Sequence, residues 1–418
     1  MIDEAKGIFN SFQHSLFNSL LLRLQRSHRR TLDPAEASLF VIPYDYSMAK
    51  RTALDCVNKR RNKTYCPEEM QFVSKFITNT PQFKRYNGVD HVLITSLGGP
   101  FSSEVCANLF QACEECAITC YWAEPNGNDT NFVSIPFPSY YHFQVNDAVS
   151  GSNSQGVFMP WTRPNRTIFS TYAGSKGVRV RAATLIRKQL VKECQEQASH
   201  CNYVKVDRVW SKLNSIVETE VGPQLTVEIM EAYSNSIFCF CPPGDDPSRR
   251  AIIDILVSGC IPVVFSALTL HNGQYPWFIG EEMAPRVSVF VPPELFHGRH
   301  GVLSGGVIAF LRSIDNDVVQ QKLRDIALLS PQLQYSIPPV KDLAVVSDVV
   351  LQSDGQSGRY DPPFLDAMDV TVDGLIDRAE RGIANKHLAA GIVPKPLIPG
   401  LKQKARKDWE RDMNEVIF

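Results

Sequence analysis

The stretch from Ser236 to Phe265 constrains the fold more than any other part of the chain. Ser236-Ile-Phe-Cys-Phe-Cys241 is rich in strand formers and lacks polar alternation, as a strand buried on both faces of a parallel sheet requires. Pro242-Pro-Gly-Asp-Asp-Pro247 fits neither a helix nor a central strand, so it reads as a tight loop. From Arg249 to Val257, residues Ile252, Ile253, Leu256 and Val257 fall on one helical face. Ser248 is the expected N-cap, and Gly259 sits where a left-handed residue would end the helix. Ile261-Pro-Val-Val-Phe265 completes a β-loop-α-β unit. Ligands of such units bind at the carboxyl ends of the strands, which here means the loop after Cys241.

Two cations then stand in an unusual place. Arg249 and Arg250 fall in the first helical turn, where the macrodipole already concentrates positive charge. Acids there would each add ~0.3–1 kcal/mol, so a helix shaped only for stability would carry them. Arginines make sense if an anion docks against the helix N–H groups and the guanidinium forks together. Asp254 lies on the face of Arg250. It reads as an acceptor for ribose hydroxyls, as acids are in dinucleotide folds, against the alternative of a surface ion pair worth ~0.3–0.5 kcal/mol.

Composition sets the bounds. At 418 residues the chain has room for two or three domains. Lys+Arg 43 against Asp+Glu 44 leaves a net charge of −1, which argues against nucleic acid as a partner. No run reaches the ~18 apolar residues of a membrane span. Eleven cysteines, the short-spaced pairs Cys56/Cys66 and Cys194/Cys201, and acceptor triplets at Asn62, Asn128 and Asn165 favour a secretory lumen. Both cysteine pairs are expected to be disulfides. A membrane attachment would then be an N-terminal anchor absent from this sequence.

Strand–helix alternation occurs twice. In the first half, a helix is expected over Ile8–Leu24, strands at Leu39–Pro43, His91–Thr95 and Val133–Pro136, and a helix over Val105–Cys120. In the second, strands are expected at Thr167–Ala173, Ser236–Cys241, Ile261–Phe265 and Val287–Val291. Helices are expected at Ala182–Cys194, Arg249–Val257 and Asp317–Leu329. This predicts two α/β domains with parallel sheets, over residues 1–165 and 166–340, followed by a helical extension and tail over 341–418.

Other patterns carry less. Asp315-Asn-Asp317 has metal-binding spacing but immediately precedes a helix, so an N-cap is the simpler reading, and no metal site is expected. Cys106, Cys113, Cys116 and Cys120 would share one helical face, from which four ligands cannot converge tetrahedrally. Asp90-His91 stands at a loop–strand junction and reads either as a turn cap or as the acceptor-site base. Asp45, after the Pro43-Tyr44 turn, competes for that role. Trp277 reads as a cleft or core residue.

The window Ser236–Val264, with its Pro-Pro-Gly-Asp, Arg-Arg and Gly-Cys-Ile-Pro blocks, resembles the donor-site signature of exostosin-type glycosyltransferases, among them plant cell-wall xylosyl-, galactosyl- and arabinosyltransferases. Leu32–Pro43, Gly88-Val-Asp-His91, Ile135-Pro-Phe-Pro-Ser-Tyr140, Ser170-Thr-Tyr-Ala-Gly174, Ile186-Arg187 and Asp366-Ala-Met-Asp369 also resemble it, in order. The resemblance implies a GT-B-like fold, two Rossmann-like domains with parallel sheets facing across a cleft. It implies a UDP-sugar donor held by Gly174, Arg187, Pro243, Gly244, Asp245, Ser248, Arg249, Arg250 and Asp254. Asp90 and His91 become the candidate catalytic pair, with a glycan or glycoprotein acceptor on the first domain. The resemblance implies inversion, in a type II protein of the Golgi lumen. The reaction is expected to need no divalent metal, because no acidic ligand pair faces the donor loop, and no cofactor other than the donor substrate, with a homo- or heterodimer allowed. The alternative is a catalytically inactive glycosyltransferase-like partner or glycan-binding subunit.

Overall fold

The computed structural model describes residues 7–9, 11, 15–45, 68–95, 115–120, 131–143, 159–206, 222–245, 248–271, 274–292, 306–337 and 362–388. Outside them lie the Cys56/Cys66 pair, the triplets at Asn62 and Asn128, and Cys106 and Cys113. The described chain is α/β, with two sheets whose strand pairs are all parallel.

The first half contains helices α1 (Leu16–Arg26), α2 (Glu68–Asn79) and α3 (Pro81–Tyr86). Its strands β1 (Phe40–Ile42), β2 (His91–Ile94), β3 (Ala117–Cys120) and β4 (Phe132–Ser134) lie in sheet order 1-2-3-4. Two expectations change here. Ile8 is not helical but bridges Tyr141 in antiparallel fashion, so α1 starts later than expected. Residues 117–120 form β3 rather than the end of a helix, so the four cysteines share no helical face.

The second half contains β5 (Ile168–Gly174), α4 (Arg181–Glu196), β6 (Cys201–Lys205), α5 (Pro223–Asn235), β7 (Ser236–Cys241), α6 (Arg250–Val257) and β8 (Ile261–Val264). After these come α7 (Ala284–Val287), β9 (Val289–Phe290), α8 (Gly306–Arg312) and α9 (Asn316–Leu329). Val287 thus ends a short helix rather than starting a strand. Asp315 caps α9 by accepting from Asp317 N at 2.7 Å, as expected of a cap.

The sheet order is 6-5-7-8-9. From β5 the chain steps outward to β6, then returns past β5 to β7 and continues the other way. The carboxyl ends of β5 and β7 therefore flank a topological switch point, where the helices on either side diverge and leave a crevice. Two disulfides brace this half: Cys194–Cys201, as expected, and Cys239–Cys260, which ties β7 to the start of β8.

A last helix, α10 (Ala367–Leu388), returns to the first half. Its Arg378 donates to Asn131 Oδ1 at 2.8 Å and to the carbonyl of Val89 at 3.4 Å. Trp277 packs against Gly374 of the same helix, which gives that ring a core role.

Candidate functional site

The sequence folds locally so that cations collect at the switch point. β7 ends at Cys241, buried on the sheet, and Pro242–Asp245 leave it as an extended loop. α6 then begins one residue later than expected. Arg249 (φ −131°, ψ 120°) is the N-cap residue and makes no side-chain cap bond, so Ser248 lies outside the helix and is not its cap. Gly259, at φ 72°, ends the helix in the left-handed region that glycine tolerates. A Cβ there would also strike the Trp161 backbone and the Arg166 guanidinium.

Each expected donor-site residue has a defined place. Arg187, from α4, is buried; its Nε donates to the Pro243 carbonyl at 2.9 Å and its other arm reaches Ser175 and the Tyr172 hydroxyl. Asp245 pins the loop from the other side, accepting from Arg179 N at 2.6 Å and Arg179 Nε at 3.1 Å. Gly174 closes β5 against the Tyr172 ring. Gly244 lies under the Arg249 guanidinium, where any Cβ would collide with it. A side chain at that position would displace the Arg249 guanidinium from its present place.

Arg250 is the distinctive residue. It is 8% exposed, and none of its three guanidinium nitrogens has a hydrogen-bond partner. Its Cζ lies 3.5 Å from the centroid of the Tyr140 ring, and its Nε lies 3.5 Å from Asp254 Oδ2. Asp254 is itself buried and turned toward the first half. Its Oδ1 accepts from Ser139 Oγ at 2.7 Å and from Tyr140 N at 3.0 Å. The carboxylate expected to meet ribose hydroxyls therefore already holds the segment after β4, a link between halves that no sequence pattern indicated.

The positive field reaches further. His142 is fully buried between Ser11 Oγ (2.6 Å) and the Tyr335 carbonyl (2.5 Å). Burial, with the nearby Arg250 charge, pushes its pKa down to about 4, so the ring is neutral near pH 7. Burial raises the Cys241 thiol to about 11 although Arg249 and Arg187 pull the other way, so it stays protonated.

Asp90 and His91 lie elsewhere. They are at the amino end of β2, whereas ligands of parallel sheets bind at carboxyl ends. The left-handed residues Asn87 (φ 53°) and Gly88 (φ 82°) turn the chain so that Asp90 Oδ1 meets His91 Nδ1 at 2.8 Å and Oδ2 meets Arg85 at 3.1 Å. The imidazole stacks on Phe40 and meets the edge of Phe83. Burial alone would raise the Asp90 pKa, but the bonds from His91 and Arg85 outweigh it and hold the carboxyl below its usual range. Both residues are buried, and their placement is that of a turn cap. Asp45, by contrast, follows the carboxyl end of β1 and is half-buried.

Among known families, residues 3–303 match the Exostosin GT47 domain. A probable xyloglucan galactosyltransferase of Arabidopsis thaliana, GT17, is 27% identical over 372 residues, covering 86% of this chain and 70% of that protein. Xyloglucan galactosyltransferase XLT2 of the same plant is 25% identical, covering 84% of this chain and 60% of that protein. Xyloglucan-specific galacturonosyltransferase 1 is 25% identical, covering 69% and 41%. The chain thus spans between two fifths and 70% of the length of these relatives. Among solved structures, the glycotransferase of kitacinnamycin aligns over 71% of this chain and 73% of its own, at 11% identity and a TM-score of 0.29.

Proposed function

Because the chain belongs to the exostosin GT47 family of glycosyltransferases, we propose that it moves a sugar from a UDP-sugar to a hydroxyl of a glycan or glycoprotein acceptor, with inversion and without a divalent metal. The observation that carries this reading is the Arg250 guanidinium, buried without hydrogen bonds at the first turn of the helix that follows the switch-point strand. Buried guanidinium N–H groups without hydrogen bonds are costly even beside the Asp254 carboxylate at 3.5 Å, and a diphosphate is the ligand that would satisfy them at a helix N-terminus. The relatives' names add xyloglucan as the acceptor class and galactose or galacturonate as the sugar, so UDP-galactose with a xyloglucan oligosaccharide is the first pair to try. The two disulfides support an oxidising lumen, which in this reading is the Golgi.

Breaking the bond between the anomeric carbon and the diphosphate builds negative charge on the departing UDP. Arg187, Arg249, Arg250 and the α6 N-terminus would meet that charge, the role a metal has in other transferases. The acceptor hydroxyl attacks from the opposite face, which inverts the anomeric centre, and its proton passes to a base. We assign Asp45 to that task, since it stands at the carboxyl edge of the first sheet, and we assign Asp90–His91 to holding the start of β2.

Arg250→Ala is expected to weaken UDP binding tenfold or more in calorimetry, ~1.5–3 kcal/mol. Transfer should survive EDTA. Unchanged UDP affinity in Arg250→Ala would remove the donor-site assignment, and EDTA inhibition reversed by Mn²⁺ would remove the metal-free one.

A further inference from the structure

We propose that Tyr140 is a positioning residue for Arg250, supplied by the first half to complete the diphosphate site of the second; this rests on the donor-site reading above. The tyrosine is placed by its backbone. Its N–H donates to Asp254 Oδ1 (3.0 Å), its carbonyl accepts from Phe9 N (2.8 Å), and the preceding Ser139 hydroxyl donates to the same Asp254 oxygen (2.7 Å). Ser139 Oγ in turn accepts from Tyr141 N at 3.0 Å, so the chain around the ring is held at every step. Tyr140 is 6% exposed, and the Arg250 guanidinium lies on the face of its ring, 3.5 Å from the centroid.

The stack decides what Arg250 can do. A free arginine side chain samples many rotamers, and a ligand must otherwise overcome that entropy on binding. A desolvated cation on an aromatic face is attracted strongly enough to favour one of them. Stacking occupies a face of the guanidinium and spares its N–H edge, the part that forks a phosphate. The edge is the part left without hydrogen bonds here. Asp254 adds direction: it holds the Tyr140 backbone by Oδ1 and approaches Arg250 Nε with Oδ2, so one carboxylate sets both partners of the stack. The donor site is then built from both halves. An arginine on α6 binds, and an aromatic ring from beyond β4 aims it.

The test is UDP and uridine binding to Tyr140→Leu and Tyr140→Phe, each with its melting temperature. Tyr140→Leu is expected to lose UDP affinity about fivefold or more while uridine, which has no diphosphate, binds as before. Tyr140→Phe keeps the aromatic face and is expected to stay within about twofold of the parent for both ligands. In an Arg250→Ala background, Tyr140→Leu should cost UDP binding nothing further. Equal losses for UDP and uridine would make the ring merely structural and overturn the proposal, as would unchanged UDP affinity in Tyr140→Leu. If Tyr140→Leu does not fold, Tyr140→Met takes its place in the same comparison. An Arg250→Ala protein that binds UDP normally would instead sink the donor site itself, a result distinct from failure at Tyr140.

Discussion

Three buried arginines differ in how fully their guanidinium groups are bonded. Arg23 has both Asp366 and Asp369 against its guanidinium, and Arg187 gives Nε to the Pro243 carbonyl. Arg250 has a ring face, a carboxylate at 3.5 Å and no hydrogen bond. Among carboxylates, Asp90 and Asp45 differ in position, Asp90 at the amino end of β2 and Asp45 after the carboxyl end of β1. Asp90 has both oxygens engaged at the amino edge of its sheet, so Asp90→Asn is expected to lower stability by ~1–3 kcal/mol while kcat barely changes. Its folded-state pKa lies below the unfolded value, so its contribution is fully present above about pH 4 and is lost as pH falls through the folded value. The melting-temperature gap between parent and variant should therefore be widest near neutrality and close in acid. Asp45→Asn should do the reverse, lowering kcat ~10²–10⁴-fold with little effect on melting. The pairing of Asp90 with His91 was legible in the sequence. Their place at the start of a strand was legible too, whereas the bond from Arg85 to Asp90 Oδ2 was not, because it depends on the turn made by Asn87 and Gly88.

At the scale of elements, the β7-loop-α6-β8 unit was readable because each boundary has local chemistry: an apolar run, a proline-rich loop, an amphipathic helix and a left-handed glycine. What the sequence hid was the switch point, since β6 and α5 carry weak signals. Cys201-Asn-Tyr-Val-Lys205 is a half-buried edge strand without an apolar run. The stretch over 117–120 is short enough that cysteine spacing suggested a helix where β3 lies. The Cys239–Cys260 bridge was missed for a related reason, being closed by pairing of neighbouring strands rather than by a short polar loop. It joins residues 21 apart, one of them within β7 two residues before its end. A chain-entropy account gives such a bridge ~3 kcal/mol, so Cys239→Ala/Cys260→Ala should lower the urea midpoint accordingly, by more than removal of the shorter Cys194–Cys201 loop.

For the whole molecule, the division into halves by sequence position is incomplete, because the chain crosses between them repeatedly. Asp254 holds Ser139 and Tyr140, Gln334 Oε1 accepts from Phe143 N at 2.9 Å, and the Tyr335 hydroxyl donates to the Pro136 carbonyl at 2.9 Å. Asp366 then links both ends of the described chain. It accepts from Ser336 N and from Met368 N and Asp369 N at the start of α10, and it meets Arg23 of α1 at 3.1 Å. With so many ties passing through buried polar groups, the halves are expected to unfold together, in a single transition seen alike by tryptophan fluorescence and far-UV circular dichroism. Arg23→Met tests the tie of greatest span. It keeps the length of the side chain but leaves Asp366 buried without its cation, while Asp369 keeps Arg29 at 3.7 Å; removing one partner of a buried pair costs ~3–5 kcal/mol. Hydrogen exchange should then rise first in α1 and α10, ahead of the β5–β9 sheet. If the variant melts with the parent and its exchange rises uniformly, the Arg23–Asp366 pair does not hold the ends, and cooperativity rests on the other ties, among them Asp254–Ser139, Gln334–Phe143 and Tyr335–Pro136.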